Sequence, residues 1–429
     1  MTTSMLPAAP TWPPSTRTRV ALLAAATAVG SIGLAAGGMA GPLLATELTG
    51  DPATAGLPIG VHVAGSAVGA LLISRVSTRT GRPAALALGY VLGAVGAVVV
   101  VAAAAGAGFG LLLVGSAIFG IGNAPVFLAR YAAAEAGGPD ARGRALGIVL
   151  FAVAAGAVAG PNLLAASGRL ASSAGLPSLT GLYLVSVVAF LAAAATLLLL
   201  LPKLIVENVR RRSDIPPGDT PVSPRSTLAA GGVPAGVTTT ATATAWRAVA
   251  LLAVTNLVMV GVMAVAPVHL LAHGHGPALV GGIVSVHALC MFAPSLVSGP
   301  LLDRAGPAVV TVVAAVLMAA AGVVGAAGAG DGVVLLVSLA LLGLGWNAGV
   351  LAGSALLTAS VPVGERLRAE GRGEVAMGLA AGGGAPIAGL VMASGGFAAL
   401  VAGAAIVVLV VAIPVVVTLP RRFGEPSQG

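Results

Sequence analysis

The sequence predicts an all-α membrane protein, and three observations carry that prediction. Hydrophobic residues fill 58% of the 429 positions and charged residues only 8%, whereas about a quarter of a soluble domain is charged. The apolar residues gather in runs of about 20, the length a helix needs to cross a hydrocarbon core about 30 Å thick. The runs are apolar all round and lack the period-2 alternation of a membrane barrel. Helices satisfy their own backbone polar groups and are the structure left to such runs in lipid.

Twelve runs can be read, near residues 20–44, 54–74, 84–105, 109–131, 145–166, 179–201, 248–270, 278–301, 307–328, 333–357, 374–395 and 397–419. The first is too long for a signal-peptide core and eleven follow it, so it is expected to be retained as a helix. Residues 202–247 break the pattern with a stretch rich in Pro, Ser, Thr and charge, which cannot bury a core and reads as a cytoplasmic connector. It divides the chain into a six-helix half at 1–201 and another at 248–429. The single cysteine, Cys290, excludes an intramolecular disulfide framework.

The net charge of +8 is placed in loops between apolar runs, which argues against a nucleic-acid surface and for a topology signal. Arg75, Arg79 and Arg82 follow the second run; Arg130, Arg142 and Arg144 are expected between the fourth and fifth; Lys203, Arg210, Arg211, Arg212, Arg225 and Arg247 lie in the connector. Arg304 follows the eighth run, Arg366, Arg368 and Arg372 precede the eleventh, and basic residues flank both termini. Of 21 Lys and Arg residues only Arg169 falls on the other side, so both termini are expected in the cytoplasm.

The two halves carry traces of a repeat, as transporters often do. An offset of 225 residues lays Arg79 on Arg304, Gly81 on Gly306, Gly56 on Gly281, Pro42 on Pro267 and His62 on His287. Two of the five histidines therefore occupy equivalent points of the second helix of each half.

These motifs resemble the major facilitator superfamily over essentially the whole chain. The family's loop signature is matched by "GPLLDRAGP" from Gly299 through Gly306, while the first-half copy, "SRVSTRTGRP", keeps Arg79, Gly81 and Arg82 but has Thr78 in place of the acidic residue. The resemblance implies a cytoplasmic gate built from Arg79, Gly81, Arg82, Asp303, Arg304 and Gly306, with Asp303 as latch through a helix-end dipole. "GAVAGP", with Gly156, Gly160 and Pro161, is similar to the fifth-helix signature of proton-coupled drug antiporters and implies export. Glycines four apart also let helix backbones approach closely, and Pro161 bends the helix. The arginine such antiporters carry in the fourth helix is replaced by Ser116.

Polar side chains within the runs face a bundle interior or a water-filled cavity. Asn123 and Asn347 are near-equivalents of the two halves; Asn162, Asn256, His62 and His287 complete the set expected to touch substrate or protons. No Asp or Glu is expected deep in a run, since Glu47, Asp51, Asp303 and Glu374 lie at the edges, so histidine is left as the titratable group near the midplane. The histidine helices are expected to face one another across the halves. His269, His273 and His275 could bind a transition metal by spacing, but no cysteine or carboxylate is near in sequence and a solvated surface is favoured. Nothing in the chain reads as an enzyme's nucleophile, acid–base pair or cofactor motif, and no cofactor or resident metal is expected. The resulting expectation is a monomeric, multi-pass transporter of a bacterial cytoplasmic membrane, exporting a small hydrophobic organic compound against protons by alternating access. The alternatives are a histidine-lined divalent-metal exporter and a non-transporting membrane sensor or scaffold, which would have no need of paired intramembrane histidines or a latch.

Overall fold

The protein is described here from a computed structural model that covers residues 12–35, 40–51, 54, 56–199 and 235–418. Among these residues there is no strand. The helices are α1 (Pro14–Ala35), α2 (Gly41–Thr49), α3 (Gly56–Thr80), α4 (Arg82–Ala102), α5 (Phe109–Ile121), α6 (Ala124–Gly137), α7 (Arg142–Ser173) and α8 (Gly181–Leu198). They continue as α9 (Ala235–Ala272), α10 (Pro277–Phe292), α11 (Ser295–Ala327), α12 (Gly332–Ser360) and α13 (Arg366–Thr418). Ala and Leu favour helix, while the β-branched Val that fills many other positions is tolerated because lipid leaves the backbone no alternative partner.

Eight stretches among the described residues are long and apolar enough to cross a membrane. Two of them, Leu279–Ala327 with 49 residues and Val363–Val417 with 55, far exceed one bilayer thickness. Each is broken by a glycine at positive φ, Gly306 (80°) in α11 and Gly396 (73°) in α13. Gly306 has ψ 165°, and Gly81, its partner at the 225-residue offset, has φ 84° and ψ 160° just before α4. Only glycine enters that region without strain. Proline follows within two residues in both copies, Pro83 and Pro307, and starts the next helix with φ already set.

The observed breaks differ from the apolar runs in three places. The fourth run is interrupted after Ile121, where Gly122 and Asn123 separate α5 from α6, and the eighth is interrupted at Ala293 and Pro294. The connector expected over 202–247 lies outside the described residues up to 234, and from Ala235 the chain is already helical. Polarity set that expected boundary, whereas the helix runs on past the point where it ceases to be apolar, with Ala at every second position from Ala241 to Ala245 offsetting the weaker Thr.

The early helices pack mainly on one another, α1 on α7 and α8, α4 on α5 and α8, and α3 on α5. The late ones do likewise, α9 on α13 and α12, and α11 on α12 and α13. Between the two sets, α11 lies on α7 and α13 on α3. Glycines set the closest approach: a side chain at Gly143 of α7 would strike the Gly299 carbonyl of α11, and one at Gly299 would strike the Gly143 carbonyl. The two backbones touch there, as small residues permit.

Candidate functional site

The end of the bundle that carries most of the arginines is closed by polar contacts between the early and late helices. Asp303, in α11, accepts hydrogen bonds from the first backbone amides of α7, Gly143 and Arg144, the latter at 2.7 Å. A carboxylate there meets unsatisfied N–H groups and the positive end of the helix dipole. The Gly143–Gly299 contact one turn away brings that helix start within reach. Arg304, next to Asp303 in the chain, and Arg79, at the end of α3, are exposed, and Gly81 and Gly306 supply the corners.

A second contact is made by Arg82. Its guanidinium takes Glu370 of α13 in a bidentate pair at 2.6 and 2.9 Å and Glu135 of α6 at 2.7 Å. Beside it the Ser74 hydroxyl donates to the Leu367 carbonyl, joining α3 to α13. Arg130 makes the third. Expected in a loop, it lies in α6 with 0% exposure, donating to Glu374 at 2.5 Å, to Ser354 of α12 at 3.0 Å and to the Phe127 carbonyl at 3.0 Å. Glu370 is 1% exposed. Glu374 lies at the edge of its run as expected, in the first turns of α13, and there Glu370, buried, and Glu374, partly buried, are held one turn apart by arginines from the early helices. A charge can stay buried only with such a partner.

His62 and Asn123, singled out separately in the sequence, meet. Asn123 Nδ2 is hydrogen-bonded to His62 Nε2, and the imidazole lies 5.5 Å from the Phe119 ring centre. An amide nitrogen only donates, so in this arrangement Nε2 accepts and the imidazole is neutral with its proton on Nδ1. That nitrogen is buried beside the Ser116 backbone without a well-formed hydrogen bond, and Asn123 Oδ1 is buried without a partner. The break between α5 and α6 places Asn123 where its side chain can turn inward.

The second half does not repeat this pair. His287 donates from Nδ1 to the Leu339 carbonyl of α12 at 2.7 Å and leaves Nε2 buried and bare. Asn347 is engaged elsewhere, donating to the Met291 carbonyl at 2.7 Å and to Ser295 while accepting from Ser298. Asn256 donates to the Met377 carbonyl at 2.9 Å and accepts from Trp346 at 3.1 Å, which ties α9, α12 and α13 together. The two histidines do not face each other as expected, because α3 packs on α13 and α10 on α7 and α12.

Gly156 packs against Ser31 and Ile32 of α1, where any side chain would collide. Gly160, Pro161 and Asn162 belong to the backbone of α7, but their side chains lie outside the described residues. The histidines near the end of α9 clasp the loop after α11: His269 bonds the Ala329 carbonyl and His275 the Gly330 carbonyl, and His269 stacks on Phe397 with centres 4.4 Å apart. His269 is buried at 5% exposure, contrary to the solvated surface expected. Among the described residues no group of three His, Cys, Asp or Glu could hold a metal ion.

A family model for the Major Facilitator Superfamily matches residues 20–346 and 248–428. The chain belongs to the Major Facilitator Superfamily. It is 34% identical over 393 residues to the uncharacterized MFS-type transporter YdeG of Bacillus subtilis, covering 90% of this chain and 88% of that protein. It is also 30% identical over 339 residues to the riboflavin transporter RfnT of Brucella anthropi, with 79% of each chain covered. Among solved structures, the human organic anion transporter MFSD10 superposes with a TM-score of 0.71 at 16% identity, covering 94% of this chain and 100% of that one. The Escherichia coli fucose:proton symporter FucP gives 0.65 at 17%, covering 94% and 99%. At these identities the structural likeness speaks to fold. Membership of this family makes the chain a multi-pass secondary transporter for a small molecule and not an enzyme.

Within that fold, Arg82 was expected at the gate, but its partners Glu135 and Glu370, and the set of Arg130, Ser354 and Glu374, are what sequence reasoning missed. One signal was present. "RAEGRGE" sets Glu370 and Glu374 four apart among arginines, on one face of a helix.

Proposed function

We propose that this facilitator works by alternating access, exporting a small, largely apolar organic compound in exchange for protons, and that the arginine-rich end faces the cytoplasm. The observation that carries the reading is the buried His62–Asn123 pair, a titratable group whose partner can follow its protonation. When the imidazole is neutral the amide donates to Nε2; when it is protonated, a half-turn of the amide presents Oδ1, now bare, to Nε2–H. Such a pair gives Nε2 a hydrogen-bond partner in either protonation state, so the ring can take up and release a proton without stranding that nitrogen.

In this reading the chain crosses twelve times as two pseudo-symmetric halves. Leu279–Ala327 and Val363–Val417 each count as two crossings about their glycine breaks, and α1 with α2, and α7, supply two more beyond the eight apolar stretches. The contacts of Asp303, Arg82 and Arg130 then form the closed cytoplasmic gate. Protonation of His62 from the outer side precedes their parting, and substrate leaves as the proton is taken inward. The relatives that transport riboflavin and organic anions support a small organic cargo.

The test is uptake of a compound panel into inverted vesicles at several imposed pH gradients. Wild-type protein is expected to accumulate substrate uphill with acid inside; His62→Gln is expected to keep downhill exchange but lose at least about 90% of the gradient-driven part, since Gln cannot titrate between pH 5 and 8. Undiminished, pH-driven accumulation by a folded His62→Gln protein excludes the pair as the coupling site.

A further inference from the structure

At the arginine-rich end, outside the contacts described above, the first apolar turns of α9, the last turns of α12 and the first turns of α13 enclose a groove of about 180 Å³. Val249, Leu357 and Val361 give it an apolar wall, and Trp246, 61% exposed, stands beside them. Arg368 and Arg372 line the other side. They are four residues apart, hence on one face of α13, and both are exposed. Unlike Arg82 and Arg130, neither is in an ion pair among the described residues. Glu365 is the carboxylate of the lining and lies within 4 Å of neither guanidinium.

A groove that is half apolar and half cationic fits an occupant with both characters. Inorganic phosphate would satisfy the arginines and leave the wall of Val249, Leu357 and Val361 wet. A phospholipid satisfies both, with its phosphodiester between two guanidiniums and its acyl chain along the apolar wall. The height fits, because an exposed Trp such as Trp246 is the residue type enriched at membrane interfaces and a basic end draws anionic headgroups. We propose that this groove binds the headgroup and upper acyl chain of an anionic phospholipid. Arg368 and Arg372 alternate along α13 with Glu370 and Glu374, the partners of Arg82 and Arg130. A lipid bridging the two arginines therefore braces the turns that hold the end of the bundle shut. The binding itself does not depend on the substrate or on proton coupling.

The experiment uses the full chain in nanodiscs, with Trp246 as reporter and the signal of a Trp246→Phe protein subtracted. Phosphatidylglycerol with brominated chains is compared with phosphatidylcholine carrying the same chains as the quencher. The expected preference for phosphatidylglycerol at Trp246 is about fivefold or more, falling to near unity in Arg368→Gln/Arg372→Gln, while Arg75→Gln, which removes another exposed arginine at this end, leaves it unchanged. The single variants Arg368→Gln and Arg372→Gln, each expected to lower the preference part-way, serve if the double variant unfolds. Equal quenching by the two lipids, or a preference that survives the substitutions, overturns the proposal. So does a preference abolished by millimolar inorganic phosphate, which assigns the site to the free anion. A preference that emerges only after deletion of residues 203–230 overturns it as well, giving the groove to the chain's own connector.

Discussion

Arg130 and His62 show how differently two residues can be read from a sequence. His62 stood out because a histidine in an apolar run is rare and recurs at the 225-residue offset, and Asn123 because an amide in such a run has a near-equivalent in Asn347; only their contact needed coordinates. Arg130 was hidden because a lone arginine at the end of an apolar run looks like a loop cation, and its acidic partner is 244 residues away. Removing one member of a buried pair leaves an uncompensated charge. Arg130→Met is expected to destabilise the protein by about 3–5 kcal/mol, and Arg130→Met/Glu374→Leu to recover most of that loss. Thermal unfolding of the three purified proteins decides it, and additive losses in the double variant would show that the two side chains act separately.

The helices were legible wherever apolarity and backbone geometry agree. The Gly81 and Gly306 corners are written in the repeat, and both adopt the same positive-φ conformation. The start of α9 was misjudged, since its Thr-rich first turns are polar yet helical, and so was the continuity of the fourth run, which Gly122 and Asn123 interrupt. Pairing between helices cannot be read from one sequence, because it depends on which small residues meet. Gly143 and Gly299 meet, and the contact sets how closely α7 and α11 approach. Overpacking a backbone contact costs about 1–3 kcal/mol, so Gly143→Val is expected to push the bundle toward opening at this end. In a Cys290→Ala background, a cysteine at Ser77, 7% exposed, should then react with a soluble thiol reagent about tenfold faster, the kinetic equivalent of about 1.4 kcal/mol. An unchanged rate would mean that the contact does not hold the closed state.

At the scale of the whole molecule, the composition pointed to the bilayer and the loop charges carry the proposed orientation, while the closure of one end needed the contacts. The proposed orientation rests on the positive-inside bias, by which residues 202–247 are expected in the cytoplasm. A cysteine at Ser223 in the Cys290→Ala protein is therefore expected to react with an impermeant reagent only in opened cells; labelling of intact cells would invert the orientation and with it the direction of export. The histidine pair cannot be symmetric with His287, because one nitrogen of that ring is committed to the Leu339 carbonyl.

The central claim is that Asp303, Arg82 and Arg130 close one end of a bundle whose two ends open in turn. Spin-label distances in lipid test it without knowledge of the substrate. One pair, at Arg75 and Val363, reports the arginine-rich end; the other, at Glu47 and Ala272, reports the opposite end, and all four positions are exposed. Glu370→Gln, which weakens the Arg82 contact, is expected to lengthen the first distance and shorten the second in the same fraction of molecules. Distances that stay fixed at both ends, or that lengthen together, would contradict alternating access.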